Sequence, residues 1–224
     1  MEAIILAGGF GTRLQSVVSD VPKPMAPING KPFLEYILLY LKKYGINKVV
    51  LAVSYKKDII KNYFKDSFSG IKIIYSEENE PLGTGGAIKQ ALDFVINKHV
   101  YVFNGDTFFD FDIRKMNLRN SCIQIALKKI NNSSRYGVVK INNGIISEFC
   151  EKNYKECGFI NCGTYLLSKD LFTGFKLEKS FSFEYFLAKY VNELSIETII
   201  DNGYFIDIGI PEDYYYFCNT YNSY

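Results

Sequence analysis

The chain opens on a short apolar run, Ala3 to Leu6, and comparable runs recur at Lys48 to Val53, Ile71 to Tyr75 and Val100 to Phe103. Each is short, rich in β-branched or aromatic residues and bounded by polar or turn-forming positions, as buried strands are. Between them the period changes. Phe33 to Tyr44 places Leu34, Ile37, Leu38 and Leu41 at helical intervals, and Ala87 to Ile96 does the same with Ile88, Ala91, Leu92 and Val95. Strands alternating with helices of this kind predict βαβ units around a mainly parallel sheet.

Beyond Asp106 the pattern turns strand-rich: Ile123 to Lys128, Val138 to Ile141, Ile145 to Cys150 and Phe159 to Leu167. Asn142-Asn143-Gly144 separates two of these runs and predicts a tight hairpin. A helix around Phe183 to Val191 follows, then strands at Ile196 to Ile200 and Tyr204 to Ile208. A tyrosine-rich helix begins at Pro211, a residue suited to a first turn. The expected architecture is α/β: a three-layer, Rossmann-like sandwich with a mainly parallel mixed central sheet and a small antiparallel β element. The reading is one domain over 1–224, with a first part to about 110, a second part over about 111–210 and a C-terminal helix over about 211–224. That helix either covers its own sheet or contributes to a homodimer contact.

Composition narrows the function. With 224 residues and nearly half of them apolar, the chain can bury a substantial core. Lys and Arg exceed Asp and Glu by only 26 to 24, so no global field calls for nucleic acid or an anionic membrane. No apolar run approaches membrane-spanning length and the N-terminus lacks signal-peptide character, which leads to a cytoplasmic expectation. The five cysteines, at 122, 150, 157, 162 and 218, show no zinc-type pairing and read as reduced structural thiols. The one histidine, His99, stands at a strand entry and offers little to a nucleophile-and-base scheme.

Candidate chemistry begins directly after the first strand, at Leu6-Ala7-Gly8-Gly9-Phe10-Gly11-Thr12-Arg13-Leu14. Glycines there let backbone amides close around an anion; a tight strand-to-helix turn is the plainer alternative. Leu14 stands where the dinucleotide fingerprint needs a third glycine, and the Gly-Lys-Ser/Thr ending of the P-loop is absent. Pro22-Lys23-Pro24-Met25 follows, its prolines restricting the backbone around a lysine that is either a charge clamp or a surface residue. Together these segments resemble the signature of the sugar-1-phosphate nucleotidyltransferases.

The resemblance implies that Leu6, Ala7, Gly8, Gly9, Gly11, Thr12 and Arg13 cradle an NTP and that Lys23 stabilises charge during transfer. Glu80-Pro81-Leu82-Gly83-Thr84-Gly85-Gly86 is similar to the family's base segment. There the Glu80 carboxylate suits the N1 and N2 protons of guanine, with Gly85 beside it, while a loop with Thr84 as helix cap is the ordinary reading. Asp106, in Asn104-Gly105-Asp106, sits at a strand's C-terminal end, where open α/β sheets bind ligands. The resemblance pairs it with Asp207 around Mg²⁺, a cation that takes oxygen ligands. By itself either aspartate is more often a turn or cap residue. Gly137, Glu151, Lys152, Asn161 and Thr164 fall in segments resembling the sugar-phosphate pocket, although Asn153 replaces a proline common after the Glu-Lys pair.

Within the family the chain looks most like bacterial D-glycero-D-manno-heptose 1-phosphate guanylyltransferases. The implied reaction joins GMP from GTP to the heptose 1-phosphate, giving GDP-heptose for surface polysaccharide. Mannose 1-phosphate guanylyltransferase and glucose 1-phosphate uridylyl- or thymidylyltransferase are near alternatives, and a non-catalytic sugar-nucleotide sensor is an alternative of another class.

Overall fold

The computed structural model describes residues 1–9, 13–14, 16–131, 135–150 and 157–221. Among the described residues a 10-stranded mixed sheet runs through the molecule. Its parallel part places Ile71–Glu77, Lys48–Val53, Glu2–Leu6 and His99–Asn104 side by side. Alternate residues of these strands enter two separate cores: Ala3, Ile5, Val49, Leu51, Tyr101 and Phe103 face one, Ile4, Val50, Val100 and Val102 the other. That two-faced burial makes the strands read as continuous apolar runs.

Helices cover both faces, completing the three layers. Phe33–Lys43 and Pro211–Thr220 pack in the first core, while Gly83–Ala91 and Phe183–Lys189 pack in the second. The C-terminal helix lies on its own sheet: Phe217 is fully buried, edge-on to Phe33 and stacked with Tyr221. A further helix, Lys57–Phe64, was not expected from the pattern, because it buries only Ile60 and Phe64 and its first residues are charged.

Strands paired mostly antiparallel extend the same sheet, with Glu197–Ile200 parallel to Ile123–Ile130. Gly158–Ser168 runs beside His99–Asn104 and is followed by Ile123–Ile130, Glu197–Ile200, and the hairpin of Ile145–Cys150 with Val138–Asn142. Asn143 and Gly144 take φ of 50° and 80°, as the tight hairpin turn requires. From Glu2–Leu6 the chain builds outward to Lys48–Val53 and Ile71–Glu77, then returns to place His99–Asn104 on the other flank. This reversal of strand order opens a crevice at the strands' C-terminal ends, the position where such sheets bind ligands. No helix among the described residues is long and apolar enough to cross a membrane.

Candidate active site

Gly8 and Gly9 leave one side of the crevice and Asp106 the other. A two-stranded ribbon, Thr107–Phe109 with Phe205–Asp207, brings in the second aspartate, because its register sets Asp207 opposite Thr107. The Ile208 N–H donates to the Asp106 carbonyl over 3.0 Å and closes the arrangement. Lys23 enters from a 3₁₀ turn, Lys23–Met25. Its Nζ donates to Asp106 Oδ2 over 2.6 Å and stands 3.5 Å from Asp207 Oδ1.

The charge balance at this junction is tight. Burial and the neighbouring Asp106 carboxylate push the Asp207 carboxyl up from its ordinary value, while Lys23, the Gly209 N–H and Arg13 pull it back. The Gly209 N–H donates to Asp207 Oδ1 over 2.7 Å. A Cβ on Gly209 would lie 2.8 Å from that oxygen and 3.2 Å from Lys23 Nζ, so the glycine makes room for the charged set. Two carboxylates sharing one ammonium offer hard oxygen donors with charge to spare, which fits Mg²⁺. No third His, Cys, Asp or Glu joins them among the described residues.

A cavity of about 420 Å³ lies on the Gly8–Gly9 side, lined by Leu6, Gly8, Gly9, Arg13, Lys23 and Glu78 among others. A Cβ on Gly8 would fall 2.9 Å from Glu78 Oε1, so the glycine admits the chain beside this carboxylate. Ala7 is buried behind the loop, its N–H bonded to the Ala52 carbonyl. Gly11 and Thr12 lie outside the described residues.

Glu80 and Gly85 stand elsewhere than the sequence suggested. Glu80 is exposed and paired with Lys179 at 3.0 Å, whereas Glu78, two residues earlier, lines the cavity and accepts the Leu82 N–H over 2.9 Å. Burial raises the Glu78 carboxyl above its usual range, with that N–H opposing the shift. Gly85 serves packing: an added Cβ would meet the Phe181 ring at 2.2 Å, and its N–H donates to the Phe181 carbonyl. Thr84 is no cap for its own helix. Its hydroxyl accepts the Phe183 N–H and donates to Glu184, tying two helices together.

A second cavity, about 360 Å³, opens on the other side and is lined by Gly137, Asn161, Arg135, Tyr136 and Asp207 among others. Asn161 donates from Nδ2 to the Tyr165 hydroxyl and accepts the Gly163 N–H, each over 2.9 Å. Thr164 is 3% exposed in the strand paired with Phe103 and does not line the cavity. Glu151 and Lys152 lie outside the described residues. Sequence reasoning passed over Arg135, whose guanidinium pairs with Asp213 and which immediately precedes Tyr136-Gly137. The two cavities share Arg13, Asn104 and Gly209.

The family model described as nucleotidyl transferase matches residues 2–223. Over 218 residues the chain is 58% identical to the D-glycero-alpha-D-manno-heptose 1-phosphate guanylyltransferase of Campylobacter jejuni, covering 97% of this chain and 98% of that protein. It is 48% identical over 219 residues to the protein of the same description from Aneurinibacillus thermoaerophilus, covering 96% and 95%. The crystal structure of HddC from Yersinia pseudotuberculosis complexed with GMP-PN superposes with a TM-score of 0.87 at 40% identity, covering 99% of each chain.

Proposed function

Since the chain belongs to the nucleotidyl transferase family, we propose that it transfers GMP from GTP to D-glycero-α-D-manno-heptose 1-phosphate, giving GDP-heptose and pyrophosphate for surface polysaccharide. The observation that carries this reading is the pair of cavities meeting at Lys23, Asp106 and Asp207, with Arg13 common to both. Two substrates held on opposite sides of one charged junction are arranged for direct transfer.

The nucleotide takes the cavity of Gly8, Gly9 and Glu78. There the Glu78 carboxylate accepts the N1 and N2 protons of guanine, the role the resemblance implied for Glu80. The sugar phosphate takes the cavity of Gly137 and Asn161. A phosphate monoester has its second pKa near about 6, so its oxygen arrives ionised and requires no general base. That oxygen attacks the α-phosphorus in line with departing pyrophosphate. Arg13 and Lys23 offset the charge that gathers on the α-phosphoryl oxygens and the leaving group. Asp106 and Asp207 would hold Mg²⁺, which when bound neutralises phosphate charge and orients the triphosphate. All five cysteines are free, in keeping with a cytoplasmic enzyme.

The test is pyrophosphate release with Mg²⁺ across a panel of GTP, ATP, CTP, UTP and dTTP against heptose, mannose and glucose 1-phosphates. Preference for GTP with the heptose phosphate is expected. Preference for UTP or dTTP would overturn the guanylyl assignment, and nucleotide binding with no release from any pair would move the reading to a sensor.

A further inference from the structure

One polar residue at the junction is left unexplained by this mechanism. Asn104 ends the strand His99–Asn104, two positions before Asp106, and lines both cavities. Its Oδ1 is buried and has no hydrogen-bond partner among the described residues. An acceptor removed from water and left unpaired costs about 1–3 kcal/mol, so such groups are uncommon in folded proteins. Asparagine is also a poor strand former, and the residues before it, Val100 to Phe103, are all apolar and buried.

The neighbouring strand is shaped around this side chain. Gly158–Ser168 breaks register between Asn161 and Tyr165, and within the break Gly163 takes a φ of 66°. A Cβ at Gly163 would approach Asn104 Nδ2 to 2.6 Å and Cγ to 2.9 Å. A left-handed glycine in an irregular stretch of strand therefore provides the space that the amide fills. An apolar side chain of the same shape would fill it without leaving an unpaired oxygen.

We propose that Asn104 is a specificity-determining residue whose Oδ1 accepts a hydroxyl proton from a sugar ring bound at the junction. The inference rests on the transfer reaction proposed above. Phosphate oxygens there are acceptors, so the donors available to a carbonyl oxygen beside the reacting phosphates are sugar hydroxyls. These belong either to the ribose of the nucleotide or to the ring of the sugar 1-phosphate. Asn104 forms part of the wall of both cavities, so the ring can be read from either side.

The experiment compares wild type with Asn104→Ala and Asn104→Leu, using the NTP and sugar 1-phosphate that wild type turns over best. Each substrate is then replaced in turn by its deoxy analogues: 2′-deoxy and 3′-deoxy nucleotide in one arm, ring-deoxy sugar 1-phosphates in the other. The variants should lose about tenfold or more in kcat/KM with the full substrates. With the one analogue that lacks the hydroxyl read by Asn104, variant and wild type should be equal, and the arm in which this happens identifies the ring. Thermal melting separates this role from a structural one: Asn104→Leu should melt at or above the wild-type temperature, because it removes a buried unpaired acceptor. Equal loss across all analogues, or no loss with full substrates, would overturn the inference. Failure of the guanylyl and heptose reading shows separately, in which pair wild type selects.

Discussion

Glu78 shows how a residue's surroundings decide its use. Two glutamates flank Asn79, and only the one that turns inward is partly dehydrated, which raises its carboxyl above the ordinary range of about 4.3. A raised folded-state pKa means that the native chain binds a proton more readily than the unfolded chain. The stability this contributes is complete below the unfolded pKa and is lost as pH rises through the folded one. Glu78→Gln should therefore raise the melting temperature at neutral pH, and the gain should vanish at pH values below the ordinary carboxyl pKa. The same substitution should lower kcat/KM for GTP by about 10- to 100-fold, the scale of a hydrogen bond to a charged group. It should also remove an acid limb of the pH–rate profile that lies above the ordinary carboxyl range. An unchanged GTP preference would assign the base contact elsewhere. Glu80→Gln, by contrast, breaks an exposed pair with Lys179 and should leave both readouts near wild type.

At the scale of elements, the strands and helices of the parallel half follow from their apolar runs and periods, and Lys48 to Val53 agrees with the observed strand at both ends. The helix Lys57–Phe64 was not legible, because two buried residues spaced by one turn make too weak a stripe. The proximity of Asp106 and Asp207 was implied by family resemblance and by nothing in their own spacing. It is produced by the register of a three-residue ribbon, a nonlocal feature that no local pattern encodes. The Gly83-to-Gly86 run is the opposite case, a legible motif with two uses: Gly83 and Thr84 line the cavity of about 420 Å³, while Gly85 serves packing. Its glycines let the segment around Phe181 cross the start of a helix. Gly85→Ala should cost about 1–3 kcal/mol in urea denaturation, the usual price of overpacking, without altering nucleotide preference. Phe181→Ala should recover part of that loss in the double variant, since it removes the ring the new methyl strikes.

Across the whole molecule, the C-terminal helix links the far end of the chain to the junction. The Tyr214 hydroxyl donates to the Pro27 carbonyl over 2.6 Å, just beyond the turn that carries Lys23, while Tyr36 braces the same stretch through the Ile28 carbonyl. Tyr214→Phe should cost about 1 kcal/mol in denaturant and lower kcat several-fold with little change in KM, because the proposed mechanism places Lys23 in the transfer step. A stability loss with unchanged kcat would make the helix a cover alone. These supports hold Lys23 beside Asp106 and Asp207 between the two cavities, and in the proposed transfer the sugar phosphate attacks the α-phosphorus directly. The stereochemical course of the reaction, followed with GTP carrying a sulfur of known configuration on the α-phosphorus, tests that most directly. One in-line displacement predicts inverted configuration at phosphorus in the product, whereas retention would require a nucleotidylated intermediate on the protein and would contradict the account.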